Sequence, residues 1–247
     1  MKLTGEHRYL LQSVKDWFGQ PKQVAHYEAE LEQGPTEAER ALLDRLPAGA
    51  AVLDVGCGAG RISLALARRG CTVTGVDVSG LLLAAASAKA EGVRGVQFRQ
   101  VEGAELPHGE AVYDAALLFK VYGYLPTREL RADYLRRLCT LVKPGGVCLL
   151  TQHVVPEDAM GDARDETFTE NPASRFRILE EGDTFPGGTG YIRWFTEREL
   201  LQELSASDYV LERFASDEPH GGAGLLRLAV LAKSAGDGYG LSSGLSP

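Results

Sequence analysis

Short apolar runs recur along the chain, each broken by glycine or an acid and followed by a stretch with helical spacing. "AVLDV" (51–55), "CTVTGVDV" (71–78), "VQFRQVE" (96–102), "YDAALLF" (113–119) and "VCLLTQH" (147–153) read as five strands. Between them, "RISLALARRG" predicts a helix stopped by Gly70, and "LLLAAASAKAEG" a helix ended by Gly92. A further helix over Thr127–Leu141 ends in "KPGG", a turn that a helix does not cross. Before the first strand, Thr36 and Glu39 form a capping box just after Pro35 and open a helix at "TEAERALLDRL". Strands alternating with helices in this way imply βαβ units in a mostly parallel sheet. Their near-continuous apolar character fits strands covered on both faces by helices.

Outside that rhythm the chain divides further. Residues 1–35 form an N-terminal arm, its 7–33 stretch helical or irregular and carrying Tyr9, Trp17, Phe18 and Tyr27. Residues 36–153 are the core. Residues 154–195 are polar and rich in Gly, Pro and acids over most of their length, a stretch long enough to be read as an inserted lid. In 196–234 a helix at "TERELLQELS" precedes "YVLERFAS" and "LLRLAVLAKS", two strands joined by "DEPHGGAG" and compatible with an antiparallel hairpin at the sheet edge. The Gly/Ser-rich end, 235–247, reads as a disordered tail.

Of 247 residues, 44% are hydrophobic and 24% charged, which suits a globular domain rather than a disordered or membrane-spanning chain. "MKLTGEHRYLLQSVKDW" lacks the apolar core of an export signal. Cys57, Cys71, Cys139 and Cys148 show neither C-x-x-C pairing nor zinc spacing, so reduced thiols in a cytoplasmic protein are expected, with no metal. A net charge of −8 argues against a nucleic-acid partner. Arg128, Arg131, Arg136, Arg137 and Lys143 are the local exception, and with Glu129 and Asp133 among them they read as a solvated helix face.

The chemistry concentrates at "VLDVGCGAGR" (52–61). Ligands of open α/β sheets bind beyond the carboxyl ends of the strands, which places a site at Asp54–Gly60. Glycine lets the backbone take positive φ and approach a ligand, and the helix starting near Arg61 offers free N–H groups. A dinucleotide fingerprint, G-x-G-x-x-G, needs glycine where Arg61 stands; the spacing here is G-x-G-x-G. The acid at Asp54 suits a ligand ammonium better than a pyrophosphate. Asp77, at the tip of the second strand, is placed to accept both hydroxyls of a ribose, with Ser79 left to cap the next helix. Glu102 is placed for an exocyclic amine, and the backbone at Gly103 and Ala104 for a purine edge.

Together "VLDVGCGAGR", "VTGVDVS", "VEGAELP", "YDAALLF" and "LRRLCTLVKPGGVCLLT" resemble the successive motifs of class I S-adenosylmethionine-dependent methyltransferases, over about residues 36–153. The resemblance implies a Rossmann-like seven-stranded sheet with its last strand antiparallel. It also implies S-adenosylmethionine as cofactor and S-adenosylhomocysteine as product. Carried onto this chain, it places Asp54, Gly56, Cys57, Gly58, Gly60 and Arg61 around the methionine moiety. Asp77 falls on the ribose, Glu102 to Ala104 at adenine with Val78 on the ring, Phe119 along the cleft, and Tyr27 as an aromatic closing over the cofactor. Glu102-Gly103 departs from the Asp-Ala of many relatives.

Acceptor contacts are expected from the tips of the fourth and fifth strands. "FKVYGYLP" offers Lys120, Tyr122 and Tyr124 but not the Asn-Pro-Pro-Tyr pattern of base or glutamine methylation. Tyr122 and His153 are the candidate catalytic residues, His153 as general base. Tyr124 reads more readily as closing the loop, and Arg193 as either a partner for an acceptor carboxylate or a surface ion pair, with Trp194 beside it. A small-molecule acceptor of O- or N-methylation is the first reading, on a monomer or homodimer. RNA or protein methylation and a non-catalytic S-adenosylmethionine-binding module are the alternatives, and an NAD-dependent oxidoreductase lacks its glycine spacing.

Overall fold

The computed structural model describes residues 1–161, 164 and 167–235. Most of the tail expected over 235–247 therefore lies outside the described residues. Two helices form the arm, α1 (Gly5–Phe18) and α2 (Pro21–Glu30). There follow α3 (Glu37–Leu43), β1 (Ala51–Val55), α4 (Arg61–Arg68), β2 (Thr72–Asp77), α5 (Gly80–Lys89), β3 (Val96–Gln100), β4 (Tyr113–Phe119) and α6 (Arg128–Leu141). After β5 (Val142–His153), the described residues of 154–195 form short 3₁₀ turns, a ribbon of β6 (Asp183–Thr184) with β7 (Ile192–Arg193), and an isolated bridge between Val154 and Phe195. Then α7 (Glu197–Ser205), β8 (Val210–Ser216) and β9 (Leu226–Ala232) complete the described chain. No helix among the described residues is long and apolar enough to cross a membrane.

Seven strands form one sheet in the order β3-β2-β1-β4-β5-β9-β8, with β9 antiparallel to both neighbours and the β3-to-β5 half parallel. The strand order turns around between β1 and β4, which opens a crevice beyond their carboxyl ends. Side chains of a strand alternate between faces, and the core divides accordingly. Val52, Ala115 and Leu117 face Leu42, Ile62 and Leu66 of α3 and α4. Leu53, Ala116 and Leu118 face Leu130, Leu138 and Leu200 of α6 and α7. β1, β2 and β4 are thus buried on both sides, whereas the expectation fails for β3, which lies at the sheet edge and is largely exposed.

A third, smaller core lies away from the sheet. Leu10 and Val14 of α1 pack against Phe168, Ala173, Phe185 and Tyr191 of residues 154–195. Phe185 is stacked on Phe168, with ring centres 5.2 Å apart. Arm and insertion therefore share one apolar interior.

Two expectations are corrected. "KPGG" is not a connection between helix and strand: β5 starts at Val142 directly after α6, and its register against β4 jumps from Tyr113↔Val142 to Ala115↔Val147. The bulge depends on small residues, because a Cβ on Gly146 would come within 2.6 Å of the Asp114 carbonyl oxygen. Arg131 does not belong to a solvated face. It is fully buried, and it donates to both oxygens of Glu203 and to Glu180 at 2.7–2.8 Å. Arg136 and Arg137 remain near the surface, both paired with Asp133.

Candidate functional site

The turn after β1 is held by its neighbours before any ligand is considered. Gly56, Gly58 and Gly60 have φ of 66°, 54° and 87°, values that a residue with a Cβ adopts at a cost. The N–H groups of Gly56 and Cys57 both donate to the Val76 carbonyl (2.8 and 3.1 Å), tying the tips of β1 and β2 together. A Cβ on Gly56 would lie 2.4 Å from Cγ2 of Val121, so the β4 loop can sit against the turn only with glycine there. Asp77 completes the brace: one oxygen accepts from the Gly58 N–H (2.9 Å) and the other from the Ser79 N–H (2.8 Å). Each oxygen keeps lone-pair capacity for a further donor. Ser79 caps α5 by accepting from the Leu82 N–H.

Above the turn is a cleft of about 360 Å³, within the range of small-molecule sites. Its floor is the tips of β1 and β2, with Asp54, Gly56, Cys57, Gly58, Asp77 and Val78. Gly103 and Val101 close one side, and Phe119, Lys120, Tyr124, Gln152 and His153 line the other. Leu11, Val14, Phe18 and Tyr27 of the arm roof it, together with Ile192 and Trp194 of the insertion. Tyr27 stands over the turn, its Cδ1 3.8 Å from where a Gly58 Cβ would be. Burial and the charges of Glu30 and Asp77 push its phenol up to about 12, so it is an uncharged ring. Burial likewise pushes the Cys57 thiol up, and it packs as a neutral wall.

Asp54 is almost wholly buried and accepts a 2.6 Å hydrogen bond from the Ser63 hydroxyl. Burial raises its carboxyl from the usual 3.8 to about 7. The folded state thus holds a proton that the unfolded chain releases. The associated stability is fully present below about pH 4 and is lost as pH rises through about 7, on the order of 1 kcal/mol per pH unit across that window. Asp54→Asn keeps an acceptor for Ser63 and removes the charge. Thermal unfolding from pH 4 to 8 should show the variant gaining on the wild type as pH rises, and parallel profiles would contradict the assignment.

Several residues singled out in the sequence lie elsewhere. Gly60 is the N-cap of α4 and presses on Phe98, 2.9 Å from a built Cβ; it shapes the turn without lining the cleft. Glu102 points away and pairs with Lys15 of α1 at 2.8 Å, its side chain 61% exposed. Ala104 is buried but does not line the cleft either. Tyr122 is 1% exposed and turned into the core, where its hydroxyl donates to Glu203 (2.9 Å) and its ring stacks on Phe195. That position does not reach the cleft, whereas Tyr124 does, edge-on to Phe18 with ring centres 5.0 Å apart. Arg193 is neither at the cleft nor on the surface: it is buried, near Glu180 and Glu199 at 3.4 and 3.2 Å.

At the β4 tip, Lys120 has φ +59°, a left-handed conformation costing roughly 1–2 kcal/mol for a residue other than glycine. It holds that shape while its N–H donates to the Thr151 carbonyl (2.7 Å). His153 lies across from it at the β5 tip. Much of the residue is open to solvent, yet the cleft wall desolvates its ring; that, then the charge of Lys120, holds it below its ordinary value, so it is neutral at pH 7. Gln152 is pinned, accepting from the Gly123 N–H (3.0 Å).

Glu39 is the site residue that local reading underrated. It caps α3 as expected, with its carboxylate accepting from the Thr36 N–H, and the same carboxylate makes a two-pronged pair with Arg61 at 2.7 Å. Arg61 also donates to the Gly34 carbonyl (2.7 Å), so it joins the α2–α3 connection to the start of α4. Burial pulls the Glu39 carboxyl upward, but the Arg61 bonds outweigh it and leave it below its usual range. A buried acid and an arginine replacing a fingerprint glycine were the available signal, separated by 22 positions.

Residues 52–146 match a family model described as methyltransferase domain. The chain is similar to ubiquinone biosynthesis O-methyltransferase of Acinetobacter baumannii (strain AYE), 37% identical over 102 residues, covering 40% of this chain and 42% of that protein. It is also similar to tRNA (carboxymethyluridine(34)-5-O)-methyltransferase of Arabidopsis thaliana, 35% identical over 111 residues, covering 45% of this chain and 26% of that one. The chain thus spans less than half the length of these relatives. Among solved structures, 1,6-didemethyltoxoflavin-N1-methyltransferase of Burkholderia thailandensis, with 1,6-didemethyltoxoflavin and S-adenosylhomocysteine bound, superposes with a TM-score of 0.62. That match covers 95% of this chain and 92% of the other at 21% identity, and it is a likeness of fold.

Proposed function

We propose that the protein, whose residues 52–146 match a methyltransferase-domain model and whose fold is like that of an S-adenosylhomocysteine-bound methyltransferase, uses S-adenosylmethionine to methylate O or N of a small-molecule acceptor. The observation that carries the reading is the cleft itself. One end is a glycine turn braced by Asp77 with lone pairs to spare, and the other holds Lys120 and a neutral His153.

The residues fit an adenosyl amino acid. Glycine at 56 and 58 leaves room for a ligand under Tyr27, Asp77 offers acceptors to ribose hydroxyls, and Asp54 offers one to an ammonium. Glu102 has no part in this assignment, because Lys15 already engages it. When bound, S-adenosylmethionine supplies a methyl on positively charged sulfur, so that an acceptor lone pair forms the new bond to carbon as the carbon–sulfur bond breaks and its electron pair goes to sulfur.

The chain contributes position and dryness. Aligning acceptor and methyl group can lower the barrier by up to ~7–11 kcal/mol. Phe18, Tyr27 and Tyr124 exclude water from the cleft. His153, unprotonated at pH 7, accepts the proton of an O–H or N–H acceptor at a ring nitrogen. Residues 154–195 act with the arm as a lid over the acceptor.

A relative that acts on tRNA keeps RNA in view, but net charge and arginine pairing count against it here. The chain carries −8, and Arg131, Arg136 and Arg137 are all engaged by acids of the protein itself. Four buried free thiols suit a cytoplasmic setting. The first test is to denature the purified protein and look by mass spectrometry for S-adenosylmethionine or S-adenosylhomocysteine. Both are then titrated against NAD by calorimetry. The adenosyl ligands should bind and NAD should not; NAD binding with neither adenosyl ligand would sink the proposal.

A further inference from the structure

We infer that the acceptor is an anion, a molecule with a carboxylate or comparably acidic oxygen, and that Lys120 is the residue that selects it. The inference rests on the methyl-transfer reading and adds a substrate class to it. Cationic side chains reach the cleft from four places, and their charges are not equivalent. Arg61 is consumed by Glu39, His26 faces Glu30, and His153 is neutral at pH 7. Lys120 lines the cleft with its ammonium in no hydrogen bond or ion pair among the described residues.

The acids of the cleft do not answer it. Asp54 is bonded to Ser63 and Asp77 to the backbone of Gly58 and Ser79, on the β1 and β2 side where the donor is assigned. Glu30 faces His26, and Glu39, which feels the Lys120 charge, is held by both prongs of Arg61. The β4 and β5 side presents Phe119, Gln152, His153, Ile192 and Trp194, which bring no negative charge. An unpaired ammonium against apolar and aromatic walls is a poor arrangement for the empty protein and a good one for a flat anion. The backbone supports the same view. Lys120 is held at φ +59° at the strand tip, and a non-glycine residue in that region is typical of functional sites rather than of loops free to relax.

The test uses the whole chain saturated with S-adenosylhomocysteine, and benzoate and benzamide as matched flat probes, one charged and one neutral. Calorimetry should show benzoate binding better than benzamide. Lys120→Gly, which removes the charge and suits the positive φ, should reduce benzoate affinity by about tenfold or more and leave benzamide unchanged. Lys120→Arg should retain most of the preference. Benzoate binding no better than benzamide, absence of both included, overturns the inference. So does a Lys120→Gly variant that weakens S-adenosylhomocysteine while keeping the benzoate preference, since Lys120 would then serve the donor carboxylate. Failure of S-adenosylhomocysteine to bind the wild type is a separate result and refutes the donor assignment instead.

Discussion

Asp77→Ala is expected to weaken S-adenosylhomocysteine binding by about two orders of magnitude or more, measured by isothermal titration. A hydrogen bond to a charged group contributes ~1.5–3 kcal/mol, and each 1.4 kcal/mol is a factor of ten in affinity. Two ribose hydroxyls would each lose such a partner. The substitution also frees the Gly58 and Ser79 N–H groups, which now donate to the carboxylate at 2.9 and 2.8 Å, so the turn itself would loosen. Folding should be affected much less. Burial raises the Asp77 carboxyl, so an unfavourable charge disappears along with the two bonds. The ligand-free variant should therefore melt near the wild type, while the rise in melting temperature that the ligand produces is largely abolished. A folded Asp77→Ala protein with undiminished affinity would remove the ribose assignment.

The second large effect concerns stability. Arg131→Ala should lower the melting temperature by about 10 °C in thermal denaturation followed by circular dichroism. Arg131 is fully buried, donates to Glu203, Glu180 and the Leu125 carbonyl, and lies over the Phe195 ring at 5.1 Å. Removing it strands the Glu203 carboxylate, 7% exposed, in the α6–α7 core, and breaking such a buried pair costs about 3–5 kcal/mol. Replacing both partners, as Arg131→Met with Glu203→Met, should recover much of the loss, because the Glu203 charge is gone and the partly exposed Glu180 keeps Arg193 and the Arg128 N–H. Neither residue lines the cleft, so affinity of the folded protein for S-adenosylhomocysteine should stay constant. A shift of only a degree or two in the single variant would mean that Glu203 finds water or another donor.

What was legible in the sequence was local or periodic. The β1 run, the glycine turn after it, Asp77 at the end of β2 and the Thr36–Glu39 capping box are each read within a few residues, and each takes its expected place in the fold, although Gly60 faces Phe98 and not the cleft. The crossing partners were not legible. Arg131 and Glu203 are 72 positions apart, and Lys15 and Glu102 are 87 apart. A charged helix residue looks solvated until the partner that neutralises it is known. Tyr122 and Tyr124 are a similar case: two positions apart in a 3₁₀ turn, they point to different environments, and no period of 2 or 3.6 applies there. "KPGG" misled for another reason, since a proline–glycine run marks a wide bulge as readily as a turn, and only strand register separates the two.

The apolar interior shared by α1 and the insertion has a consequence for redesign. Leu10 and Val14 belong to a segment more than 150 residues before Phe168 and Phe185, yet all four sit in one small core. Grafting residues 154–195 from a relative to change acceptor preference would bring in side chains shaped for a different first helix. Because they share this core, the two segments would have to be transplanted together or left in place.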